Sequence, residues 1–213
     1  MRVTRPVWRR FTAKHQARAA SWVREGGSAA VFTSPRVVHM ILGAGDDGKI
    51  TEAGLWSVLA LEQQRYRRST EGPFRGLFRV KVKPHAVDAV ADWCDRDGGH
   101  PSATRDLELD CLDCAACCHD ANVLLDDDDL ERFRDAGRTD LTKPPFVRRA
   151  RDGKVTLRFL GPKCQHLKRD NKCRIYAIRP FNCSVFPVGS EACLAAREST
   201  LNLRDDAESR LSP

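Results

Sequence analysis

The spacing of cysteines constrains this chain more than any other feature. Cys111, Cys114, Cys117 and Cys118 read C-x-x-C-x-x-C-C, and Cys164, Cys173, Cys183 and Cys193 follow at steps of nine, ten and ten residues. Two thiolates two residues apart can converge on one metal ion from a tight turn, with backbone N–H groups able to bond the sulfurs. From Cys111 to Cys117 that step is made twice, matching the first three ligands of a bacterial ferredoxin run. The fourth departs from it, because Cys118 follows at once, without a three-residue gap or a proline. Adjacent side chains tend to diverge, so Cys117 and Cys118 are expected to serve two metal positions or one bridged cluster. All eight cysteines together suffice for two four-coordinate sites. Eight thiolates on two divalent ions carry a net charge of about −4, which calls for nearby cations. Lys163, Lys168, Arg169, Lys172, Arg174 and Arg179 lie in those loops.

Nine cysteines in 213 residues would suggest disulfides in a secreted protein. Met1 instead leads into an arginine-rich segment without the apolar core or small-residue cleavage site of a signal peptide, and the longest apolar runs span only a few residues. A cytoplasmic protein without a transmembrane segment is expected, and in a reducing compartment metal is the expected use of the thiols. All-thiolate sites suit zinc and iron alike, an iron–sulfur cluster included. Cys94 stands apart, on the apolar face of a helix with Val87, Val90 and Ala91, and reads as a core thiol. His119 and His166 adjoin ligand cysteines and could replace one. No Ser-His-Asp or paired-carboxylate arrangement rises above chance, so no catalytic residue is assigned.

The net charge of +7 belongs to the first forty residues, where eight Arg or Lys face Glu25 alone. Pro6 suits a first helical turn, and Trp8, Phe11, His15, Ala19 and Trp22 recur at three and four, predicting an amphipathic basic helix over 6–25. Such a helix can dock on its own domain or meet nucleic acid or an acidic partner. Further helices are expected at 51–68 and 84–95, with a strand at Phe78, Val80 and Val82 between them. Gly43-Ala-Gly45-Asp-Asp-Gly48 satisfies G-x-G-x-x-G, but two aspartates at a phosphate site and the lack of a strand-helix-strand unit favour a turn. As a calcium loop it would put glycines where ligands are required. Asp126 to Asp129 suit the amino end of a helix closed by Gly137 better than a calcium site. A short strand is expected at 123–125, and another at Val155, Leu157 and Phe159.

The pattern C-x-x-C-x-x-C-C, then Gly161-x-x-Cys164, Cys173-Arg-Ile-Tyr176, Arg179-Pro180-Phe-Asn-Cys183 and Phe186-Pro187, resembles a bacterial family of cysteine-cluster proteins regarded as zinc- or iron-chelating. The resemblance covers about residues 108–195. It implies metal chelation by Cys111, Cys114, Cys117, Cys118, Cys164, Cys173 and Cys183, with Cys193 as a further candidate, and Arg179 as a balancing charge. Flagellin lysine methylases look similar over the same cysteines, so methyl transfer enters by analogy alone. The expected architecture is α+β: a small cysteine-rich metal-binding domain of short strands and helices at 105–198, a mainly helical region at 1–104 before it, and a polar tail at 199–213. The leading expectation is a non-catalytic metal-binding protein. An iron–sulfur redox or methyl-transfer enzyme is the second, and a metal-braced module acting through the basic helix the third.

Overall fold

Val7 and Trp8 are adjacent and both fully buried, in two different apolar clusters. Only an extended backbone, whose neighbouring side chains point to opposite faces, allows that. The computed structural model describes residues 1–63, 65–119 and 123–205. The expected helix over 6–25 is replaced there by two strands, Arg2–Pro6 (β1) and Trp8–Thr12 (β2), before a helix at Gln16–Arg24 (α1). The amino-terminal region is therefore rich in strands and not mainly helical, and the fold mixes helices with several sheets. The three-and-four spacing misled because long-range partners outweigh it. β1 pairs with Thr104–Glu108, the Trp8 N–H donates to Asp97 Oδ2 at 2.8 Å, and the Val7 N–H donates to Ala103 at 2.8 Å. A helix could make none of these bonds.

The chain divides into two compact units, Arg2–Glu108 with Gly189–Ala195 and the residues from Arg204, and Leu109–Val188 with Met1 and Ala196–Leu203. In the first, Ser28–Ser34 (β3) runs parallel to β2 and antiparallel to Val37–Leu42 (β4). After the helix Glu52–Ala60 (α2), Arg67–Arg68 (β5) and Phe78–Lys81 (β6) complete the order β2-β3-β4-β6-β5. The 43–48 segment is a tight turn, closed by Gly48 N–H on Gly45 O at 2.9 Å. The helix expected over 51–68 ends at Ala60, where buried Gln63 donates to Leu61 O and accepts from the Lys83 N–H, turning the chain back. Gln64 lies outside the described residues. The helix Val87–Arg96 (α3) buries Val90, Trp93 and Cys94 against one sheet face. Helix α1 covers part of the other, where Trp22 lies so close to Gly27 that a Cβ there would stand 2.4 Å from its ring.

The basic amino-terminal residues are largely used within this unit. Arg9 stacks on Trp22 at 3.8 Å, Arg10 lies over Phe32 at 4.8 Å, and Arg5 is buried against Asp97 and Glu191. Arg96 and Arg105 complete a network around these two carboxylates, and Trp8 Nε1 donates to Glu191 at 2.9 Å. Burial opposes charge on Asp97, but Arg5, Arg96 and Arg105 hold its carboxyl below the usual range. Residues 104–108, given as β7, form the partner strand of β1.

The second unit is made of smaller pieces. After Cys111–Cys114 (α4) come Leu124–Leu125 (β8) and Asp127–Asp135 (α5), which Asp126 and Asp129 open as a reciprocal cap. Val147–Arg149 (β9) and Val155–Leu157 (β10) pair with β8, and Phe159–Leu160 (β11) with Lys163–Cys164 (β12) make a hairpin. Phe181–Ser184 (α6) follows, and the part of Glu191–Leu201 (α7) from Ala196 onward ends the unit. Fully buried Phe133 and Leu141 centre the apolar cluster. Residues 120–122 of the expected metal domain and 206–213 of the expected tail lie outside the described residues. No helix among the described residues is long and apolar enough to cross a membrane.

Candidate metal centre

The C-x-x-C-x-x-C-C run folds as successive tight turns. Asp110 caps α4, accepting from the N–H groups of Leu112 and Asp113 at 2.9 and 3.3 Å. Ala115 then adopts φ +50°, a left-handed conformation costing about 1 kcal/mol in a residue with a Cβ. It reverses the chain into the 3-10 turn Ala116–Cys118, with Ala115 and Ala116 buried beneath.

Three later turns deliver the other cysteines. Gly161, at φ +64°, bends the β11–β12 hairpin that ends on Cys164. The Leu167 N–H donates to the Cys164 carbonyl at 3.0 Å, closing the turn, and the backbone of His166 and Leu167 favours the Cys164 thiolate against burial. Leu167 and Cys173 then bridge across a loop turned by Asn171 at φ +60°. The Asn171 side-chain amide ties that loop to the Asp113 carbonyl at 3.1 Å. Cys183 sits in α6, just after Pro180. Asp129, fully buried, accepts from the Phe181 N–H at 2.7 Å and from Arg132 at 2.9 Å, while Arg132 also donates to the Arg179 carbonyl at 3.1 Å. The acidic start of α5 thus fixes the turn that carries Cys183.

The sulfurs act on one another. The neighbouring Cys118 side chain draws Cys117 below the usual thiol range against the effect of burial, and Cys117 with burial pushes Cys118 up. Burial first, then the sulfurs of Cys164, Cys173 and Cys117, push Cys183 up to about 12. Burial also raises Cys164, opposed by the His166 N–H, and it raises Cys111, with Cys117 and Cys114 adding to it. Cys118, Cys164, Cys173 and Cys183 pack against the apolar cluster of the unit. The Arg179 guanidinium, stacked on Tyr176 at 4.2 Å, lowers both Cys117 and Cys183.

Among the described residues, no three His, Cys, Asp or Glu side chains form a group that could hold an ion as they stand. The seven sulfurs share a neighbourhood without forming a closed coordination shell. Their donor chemistry, soft and entirely thiol, fits zinc or an iron–sulfur cluster. None of the nine cysteines is in a disulfide. Cys193 is buried and falls in the segment Gly189–Ala195, which clusters with the first unit. Cys94 is a core thiol, its ionisation pushed up chiefly by burial. His119 is half-buried in the turn after Cys118. His166 is buried and stacked on Phe146 at 5.5 Å, its Nε2 without a hydrogen-bond partner.

One residue here gave no sign in the sequence, and a second showed only one of its two roles. Arg197, on α7, donates to Cys114 Sγ at 3.3 Å from 83 positions away, and nothing in its local pattern marks it. Asp129 is read correctly as a helix-start carboxylate, yet its second task of holding the Phe181 N–H depends on tertiary contact alone.

Residues 110–202 match the model of a family, CxxCxxCC, described as "Putative zinc- or iron-chelating domain". No curated protein and no solved structure shows significant similarity to the chain.

Proposed function

We propose that the chain is a non-catalytic metal-binding protein that holds zinc or iron through Cys111, Cys114, Cys117, Cys118, Cys164, Cys173 and Cys183. The observation that carries this reading is that successive tight turns bring these cysteines into one small unit, where the sulfurs of Cys164, Cys173 and Cys117 act on Cys183. Sulfurs prepared in this way are suited to carry negative charge, and Arg179 and Arg197 supply opposing charge beside them. Cys118, Cys164, Cys173 and Cys183 form the most enclosed set, and an enclosed four-sulfur set suits a structural site better than one with a position open to substrate. Cys111, Cys114 and Cys117 would serve a second position, with Cys193 as a further candidate ligand. A bridged iron–sulfur cluster is the second reading, favoured by the adjacency of Cys117 and Cys118 within one 3-10 turn.

Anaerobic purification with quantification of zinc, iron and sulfide tests both readings. Colourless protein with stoichiometric zinc supports the first, and brown protein absorbing near 400 nm with matching sulfide supports the second. Cys118→Ser should lose metal under either. If Cys117→Ser and Cys118→Ser both retain the full metal content, the cysteine run is not the binding site.

A further inference from the structure

The five-stranded sheet of the amino-terminal unit is covered unequally. Its core face is closed by α3 and by Val58 of α2, but on the opposite face the β4-β6-β5 side is open beyond α1. Strand parity puts His39, Arg67, Arg79 and Lys81 there, and the register sets Arg67 directly opposite Arg79 and His39 opposite Lys81. Like charges facing each other across antiparallel strands destabilise a sheet by a few tenths of a kcal/mol to about 1 kcal/mol. Within the fold no carboxylate relieves them: among the described residues Arg67, Arg79 and Lys81 form no ion pair, and Lys83 donates only to a neutral carbonyl, that of Glu62, at 3.0 Å. The face forms the floor of a cleft of about 1200 Å³ between Gln16 and the 69–74 loop, with six Arg or Lys among its lining residues against Glu71 alone. At its rim Tyr66 is 43% exposed, its ring in edge contact with Phe78 at 5.7 Å.

We propose that this cleft binds a single strand of nucleic acid, its phosphates on Arg67, Arg79 and Lys81 and a base on Tyr66. Arg79 and Lys81 are two residues apart on one strand, about 6.7 Å, close to the spacing of successive phosphates in an extended single strand. The cleft has room for a few nucleotides and is recessed, which suits a single strand better than a duplex or a bilayer. An aromatic face beside a cationic track is the usual means of holding such strands without reading their sequence. The proposal stands on the first unit alone and is independent of the metal reading.

Fluorescence anisotropy of a labelled mixed-sequence 12-nucleotide single strand on the full-length, metal-loaded protein tests it. Arg79→Gln with Lys81→Gln should weaken binding at least tenfold and make the slope of log K against log salt shallower by about 1.4, the value for two lost phosphate contacts. Tyr66→Ala should weaken binding about fivefold or more while leaving that slope unchanged. Arg18→Gln with Arg36→Gln, an equal loss of charge at exposed positions away from the cleft, should change little. Equal loss from that control pair would overturn the assignment. So would an unaltered affinity in the cleft variant, or tighter binding to phosphatidylserine vesicles than to the oligonucleotide.

Discussion

The two units solve the problem of stability by different means. The amino-terminal unit buries large side chains on both faces of its sheet, with Trp8, Met40, Leu42, Val58 and Val80 nearly or fully enclosed on one side and Ile41 on the other. The cysteine unit has strands of two or three residues and one apolar cluster, and against it pack four sulfurs where a larger domain would place aliphatic groups. Burial at roughly 25 cal/mol per Å² can support the first, whereas short elements around a small core generally need a metal or covalent link. On the proposed reading, metal would support the fold of one unit and apolar packing that of the other.

Metal removal should therefore separate them, and it is the largest effect expected. Thiolate-held structural zinc contributes roughly 10–16 kcal/mol by the zinc-finger precedent, more than a unit of this size retains as net stability. On chelation, hydrogen-exchange protection should vanish from α5, β9 and β10 and persist in β3 and β4. All four tryptophans, Trp8, Trp22, Trp56 and Trp93, lie in the first unit, so their fluorescence should stay native-like under the same treatment. Protection lost equally from both units would remove the distinction.

The converse perturbation is Asp97→Asn. This carboxylate is wholly buried among Arg5, Arg96 and Arg105, and neutralising it leaves three guanidinium groups with Glu191 as their remaining buried counter-charge. Removing one partner of a buried ionic network costs about 3–5 kcal/mol. Urea unfolding followed by tryptophan fluorescence should show that loss while the metal content stays unchanged. A change under 1 kcal/mol would mean that apolar packing alone holds the unit.

What could be read from the sequence follows the same division. The cysteine run and the carboxylates that open α5 are local features, and local spacing reveals them, whereas it does not reveal the hairpin at Gly161 that splits the expected 155–159 strand. Trp8 to Thr12 misled because aromatic residues three and four apart satisfy a helix, while the partners that make them a strand, β3 and Asp97, lie 20 and about 90 residues away. The same distance conceals Arg197 from Cys114.

The smallest effect expected concerns the open sheet face. Burial, then Arg79 and Lys81, lower His39 to about 4, against 6.5 when the side chain is free. Its Nδ1 is buried without a hydrogen-bond partner, so the fold offers nothing to stabilise the imidazolium. Above pH 6.5 the ring is neutral in both folded and unfolded chains and imposes no cost. As pH falls from 6.5 toward 4 the unfolded chain takes up a proton that the folded one refuses, so stability declines over that window. Allowing for solvent screening, the decline due to His39 is about 1 kcal/mol. Urea midpoints followed by tryptophan fluorescence at pH 7 and pH 5 should differ accordingly, and His39→Gln should flatten the difference. A single-stranded oligonucleotide bound beside Arg79 and Lys81 would offset their charge and raise the pKa of His39, so its presence should also flatten the slope. An unchanged slope with oligonucleotide bound would place the ligand elsewhere than on this face.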